Sequence, residues 1–120
     1  MQKFLDSYAI IEILKANPNY EKVSMDSPFT SKANLVEVAY HLLQDFSQDK
    51  AIEIFDALKI NILEIQESQI MKIALFRKTH SKKKLSYIDC IGYIIAKENG
   101  MKFLTGDQQF KEMENVEFVK

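Results

Sequence analysis

The sequence contains a single cysteine, two histidines, two prolines and three glycines among 120 residues, and each shortage closes off a class of structure. Cys90 alone cannot form an intramolecular disulfide, and with only His41 and His80 present there is no Cys/His cluster of structural-zinc spacing. A lone thiol fits a reducing, cytoplasmic setting. Gly92, Gly100, Gly106, Pro18 and Pro28 are spread out, and no repeat or low-complexity tract interrupts the chain. One domain over residues 1–120 is therefore expected. Long apolar runs are missing too: the longest near the start, Tyr8 to Ile11, lies between Asp6 and Glu12, too short for a signal segment or a membrane span.

A strong charge of one sign is also lacking. The net charge of −1 is not the basic balance common among nucleic-acid-binding proteins. The charge is nevertheless segregated. RKTHSKKK, from Arg77 to Lys84, holds five of the sixteen basic residues, so the rest of the chain, −1 less five, carries −6.

What is present is an alternation of strand and helix patterns. A strand at Lys3 to Leu5 leads at Asp6 into a helix carrying Ile10, Ile11 and Leu14, which ends near Asn17-Pro18 because proline lacks the N–H a helix interior needs. A strand near Met25 to Thr30 precedes a helix from Lys32 to Phe46, whose Leu35, Val38, Ala39, Leu42 and Phe46 form one apolar stripe. A helix over Gln48 to Leu58, a strand over Ile60 to Ile65 and a helix over Glu67 to Lys78 follow. A helix from Ser86 to Asn99 closes at Gly100, Phe103-Leu104 is a buried strand, and Glu114 to Val119 offers a fifth. This order predicts a three-layer α/β/α fold around a mainly parallel sheet of four to five strands.

Such sheets bind ligands beyond the carboxyl ends of their strands, where strand order reverses. Asp6 directly follows the first strand and Asp107 follows the fourth by two residues, while Glu37 and Asp89 lie in the opening turns of their helices. Each acid also has a structural explanation. Asp6 can be an N-cap, Asp89 completes a capping box with Ser86, Asp107 suits a turn or cap, and Glu37 falls outside the apolar stripe like any solvated residue. Glu37 and His41, four apart, can form a ligand pair, although a third His or Cys is missing. Taken together, four carboxylates make a seat for Mg²⁺ or Mn²⁺, which prefer hard oxygen ligands and activate water for phosphodiester cleavage.

The segments FLDSYAIIEIL, ANLVEVAYHLL, LSYIDCIGYIIAKENGMKFLTGDQQF and NVEFV carry a resemblance, in order and spacing, to the PIN domain, most closely to single-domain VapC-type toxins. The resemblance implies a Mg²⁺- or Mn²⁺-dependent endoribonuclease with metal ligands at Asp6, Glu37, Asp89 and Asp107. It makes Thr105 a supporting hydroxyl, with Ser7 and Asn34 as weaker candidates for the same work. It also implies an RNA substrate, an antitoxin partner and a homodimer. Some members carry a further acid one turn after the third; Gly92 and Tyr93 stand there in this chain, which leaves one metal or two open.

Lys82, Lys83 and Lys84 can contact RNA phosphates beside the site, or form an ordinary solvated loop. Tyr87 and Tyr93 can stack on bases or belong to the core. Rival phosphate chemistries fail on particular residues. No Gly-rich phosphate loop occurs, and a haloacid-dehalogenase-like opening would need an acid where Tyr8 stands. The alternatives that survive are an RNA-processing PIN nuclease and a non-catalytic PIN-like binding module.

Overall fold

A computed structural model describes residues 2–120. The first half of the chain runs β1 (Lys3–Leu5), α1 (Ser7–Leu14), α2 (Pro18–Glu21), β2 (Phe29–Thr30), α3 (Lys32–Asp45) and α4 (Gln48–Asp56). The second half runs β3 (Asn61–Ile62), α5 (Glu67–Thr79), α6 (Tyr87–Glu98), β4 (Lys102–Thr105), a 3-10 turn at Gln108–Phe110 and β5 (Val116–Phe118). The five strands form one parallel sheet in the order β3-β2-β1-β4-β5. Strand order therefore reverses between β1 and β4.

Alternation along β1 and β4 assigns the two faces, because successive side chains point to opposite sides of a sheet. Phe4 pairs with Phe103 and Leu5 with Leu104. The phenylalanines pack with Ile73 of α5, with Cys90, Tyr93, Ile94, Ile95 and Ala96 of α6, and with Phe110. Leu5 and Leu104 pack on the other face with Ala9 and Ile10 of α1, Tyr20 of α2, Val38 and Leu42 of α3 and Ala51 of α4. The result is the expected three-layer α/β/α arrangement, with all five strands parallel.

Several local expectations shift. Pro18 does not merely end a helix; it opens α2 at a position where its missing N–H is harmless, and the Asn17 side chain accepts from Asn19 N at 2.9 Å. β2 and β3 are shorter than their apolar patterns predicted. Both β3 residues are exposed at the sheet edge, while Leu63 packs on the phenylalanine face and Ile60 on the other. Phe46 leaves the α3 stripe: it is the extended C-cap and is 44% exposed, so the buried stripe ends at Leu42. Among the described residues no helix is long and apolar enough to cross a membrane.

Gly106, directly after β4, is required by close approach. A Cβ there would lie 2.1 Å from Cε1 of Tyr8 and 2.6 Å from the Val119 carbonyl oxygen. That carbonyl also accepts from the Tyr20 hydroxyl, and Val119 N donates to Thr105 O at 2.9 Å. Gly106→Ala should therefore push the Tyr8 ring or the C-terminal strand aside and destabilise the fold by about 1–3 kcal/mol in urea denaturation. An unchanged midpoint would mean that the Tyr8 ring yields without cost.

Candidate functional site

The reversal between β1 and β4 opens a cleft at the carboxyl ends of the strands. Asp6, Glu37, Asp89 and Asp107 all line it, with Ser7, Tyr8, Gly106, Gln108 and Lys120. Each carboxylate is aimed by its own local structure. Asp6 is the N-cap of α1, with Oδ1 accepting from Ala9 N at 2.8 Å, and Oδ2 accepts from the Thr105 hydroxyl. Asp89 closes the capping box of α6: Oδ2 accepts from Ser86 N at 2.9 Å while Asp89 N donates to Ser86 Oγ at 3.1 Å. Asp107 caps the 3-10 turn through Gln109 N at 3.0 Å.

Glu37 is placed by a polar chain that crosses between α1 and α3. Ser7 Oγ donates to Glu37 Oε1 at 2.5 Å and accepts from Asn34 Nδ2 at 3.0 Å. Asn34 is itself 2% exposed and held by Ser31, the N-cap of α3. Thr105, fully buried, joins two acids: its hydroxyl donates to Asp6 and accepts from Asp107 N at 3.0 Å. The three supporting polar residues expected from sequence thus touch the acids or their carriers.

Electrostatically the cleft is under tension. None of the four acids is in an ion pair among the described residues. Burial pushes the Asp6 carboxyl from its ordinary range up to about 7; the Thr105 hydroxyl and Ala9 N–H oppose this, and the charges of Asp89 and Asp107 add to it. Burial also raises Asp89, against the Ser86 donors and with the charges of Asp107 and Glu37. As they stand, no three His, Cys, Asp or Glu side chains among the described residues are clustered tightly enough to hold a metal ion. The donor set still fits a hard divalent cation. It consists of carboxylate oxygens, each with lone pairs beyond the anchoring bond, around a desolvated acid that lacks a cationic partner.

Other expected residues fall differently. His41 shares a groove along α3 with Glu37, yet its Nε2 faces Asp45 Oδ2 at 3.2 Å without a well-aligned hydrogen bond, so the pair does not point at a common ligand. Tyr93 belongs to the core, stacked on Phe76 and Phe110 with its hydroxyl on Glu114 O. Tyr87 is 63% exposed. Lys82, Lys83 and Lys84 lie outside the cleft lining. Sequence reasoning missed Tyr8, Gln108 and Lys120 as cleft residues; only their neighbourhood to Asp6 and Asp107, or the approach of the C-terminal strand, could have pointed to them.

A family model for the PIN domain matches residues 3–116. No curated protein matches the sequence. Among solved structures, VapC20 of Mycobacterium tuberculosis, described as a toxin that cleaves the sarcin-ricin loop, is similar with a TM-score of 0.80 at 14% identity over 100% of both chains. VapBC-1 from nontypeable Haemophilus influenzae gives 0.76 at 17% identity, covering 98% of this chain and 96% of the other. VapBC2 from Rickettsia felis, bound to a promoter DNA fragment, gives 0.75 at 14% over 100% of both. At these identities the likeness is one of fold.

The raised Asp6 has a consequence for stability. In the folded protein it keeps its proton up to about pH 7, whereas the unfolded chain releases it near its ordinary value of 3.8. Over that window the folded state binds more protons, so in EDTA the unfolding free energy should fall as pH rises from about 4 to about 7, by up to a few kcal/mol. Asp6→Asn should flatten much of that slope. Mn²⁺ should raise the melting temperature more at pH 7.5 than at pH 5, because ligands must be deprotonated. An Asp6→Asn protein with the wild-type slope would remove Asp6 as its source.

Proposed function

The chain belongs to the PIN-domain family, and on that premise we propose that residues 1–120 form one nuclease domain, a Mg²⁺- or Mn²⁺-dependent endoribonuclease acting in the cytoplasm. The observation that carries this reading is the convergence of Asp6, Glu37, Asp89 and Asp107, without ion-pair partners among the described residues, on one cleft at the carboxyl edge of a parallel sheet. These four would hold the metal. When bound, the ion supplies the charge compensation and water activation that phosphodiester hydrolysis needs.

The chain's own groups set the geometry. Thr105 fixes Asp6 relative to Asp107, and Ser7 with Asn34 fixes Glu37, so the carboxylates keep their places although they repel one another. The first turns of α1 and α6 open at the same cleft, and their free N–H groups favour negative charge from carboxylate and phosphate alike.

The reading extends to the toxin of a toxin-antitoxin pair. It is supported by fold likeness to VapC20, described as a toxin, and by apolar side chains left at the surface. Val36, Tyr40, Leu43 and Ile52 are exposed on α3 and α4, and Ile70, Met71 and Leu75 on α5. Two separate apolar faces suit two protein contacts, one to an antitoxin and one to a second copy of this chain.

Purified protein should cleave single-stranded or loop RNA with Mn²⁺ or Mg²⁺ and stop in EDTA. Asp6→Asn and Asp89→Asn should each lower the rate more than about 100-fold while remaining folded, since even outer-shell changes cost about 10–100-fold. Thr105→Val should cost about 10–100-fold and recover in part at higher metal concentration. Cleavage by Asp6→Asn at the wild-type rate would sink the assignment. Expression of the active protein alone should arrest growth of the host, and expression of Asp6→Asn should not.

A further inference from the structure

Outside the acidic cleft, the end of α5 and the loop into α6 enclose a second concavity of about 410 Å³, within the range of small-molecule sites. Arg77, Lys78, Ser81, Lys83, Leu85 and Tyr87 line it. Arg77 sits over the Tyr87 ring, with Cζ 4.2 Å from the centroid, and its Nε donates to Leu85 O at 3.3 Å. No carboxylate pairs with Arg77, Lys78 or Lys83 among the described residues. Cations in the last turn of α5 suit the negative end of that helix. That preference covers Arg77 and Lys78 but not Lys83 of the following loop, and it does not explain why three cations without carboxylate partners ring a concavity beside an exposed tyrosine.

The basic loop is also fastened to the acidic site. Gln109 accepts from Lys84 N, donates through Nε2 to Lys84 O at 2.9 Å, and its carbonyl accepts from Lys83 Nζ at 3.0 Å. The same residue's N–H binds Asp107 Oδ1. One glutamine therefore fixes the loop to the turn that carries a carboxylate of the cleft. Tyr87 and Asp89 lie two residues apart in the first turn of α6, ~200° around the helix. A strand seated in both places must round the tip of α6.

We propose that this pocket is an RNA subsite for a nucleotide on the same strand as the cleaved bond, beyond the tip of α6: Arg77, Lys78 and Lys83 take its phosphate, and the Arg77–Tyr87 stack takes its base. The inference rests on the nuclease reading above and assigns that enzyme a substrate-positioning site. Base stacking on tyrosine and on guanidinium planes is the usual way single-stranded RNA is gripped, and unpaired cations suit a backbone phosphate.

The test is anisotropy of a labelled short single-stranded RNA in EDTA, so that binding is read without cleavage, together with cleavage kinetics in Mn²⁺. Arg77→Ala and Tyr87→Ala should weaken RNA binding about 5-fold to 100-fold, and Tyr87→Phe should bind like wild type. Lys78→Ala should reduce the slope of log affinity against log salt by about 0.7, and Lys50→Ala, on α4, should change neither quantity. In Mn²⁺, Arg77→Ala should raise KM and leave kcat unchanged. Wild-type binding and KM in the Arg77 and Tyr87 variants would overturn the subsite and leave the nuclease reading standing. Pocket-dependent RNA binding by a protein that never cleaves would do the reverse. If the variants lose affinity only for an acidic peptide, the occupant is protein and the proposal fails.

Discussion

When β1 pairs in parallel with β4, in the register that sets Leu5 beside Leu104, the residues that follow on the two strands are Asp6 and Thr105, and the hydroxyl of one meets the carboxylate of the other. The rest of the site follows from that pairing. Thr105 then receives Asp107 N, so the turn after β4 is tied back to the start of α1, and Gly106 leaves room for the Tyr8 ring from the same helix. On the far side of β1, Thr30 of β2 donates to Leu5 O at 2.7 Å, which brings Ser31 and the start of α3 to the same edge. A slip of one residue between β1 and β4 would exchange Phe4 and Leu5 between the two core faces, so the hydrophobic pattern also guards the register of the acids.

The capping and functional explanations of the acids turn out not to compete. Asp6, Asp89 and Asp107 each cap a helix or turn with one oxygen, and all three line the cleft. A cap is a means of aim: the backbone N–H fixes the carboxylate against a rigid element and leaves lone pairs directed outward. The capping box at Ser86 therefore says nothing against a second use of Asp89. Glu37 has no cap role, and its placement depends on Ser7 and Asn34, which are 27 residues apart in sequence.

Legibility divides along the same physical line. Long periodic segments such as α3 and α6 could be read closely, because local spacing of apolar residues decides them. The edge strand β3 could not, since the Ile60–Ile65 pattern is shared between both core faces and only Asn61–Ile62 pairs. Asp6 and Asp107 followed from the strand-end rule, whereas Glu37 needed the family resemblance because its neighbours in space are remote in sequence. Gln109, which clamps the basic loop to the Asp107 turn, carries no pattern that marks it.

The position one turn after Asp89 shows how packing limits chemistry. Gly92 is buried on the face of α6 that meets the sheet, and a Cβ there would lie 2.9 Å from the Phe4 ring and 3.2 Å from the Phe103 ring. Tyr93, next to it, fills the aromatic cluster with Phe76, Phe103 and Phe110. A carboxylate at either place would enter the apolar core instead of the cleft, at the cost of an unpaired buried charge. The close approach of α6 to β1 that lets Asp89 reach the cleft is thus the same contact that denies this helix a second carboxylate there, and the proposed metal seat is confined to the four acids that line the cleft.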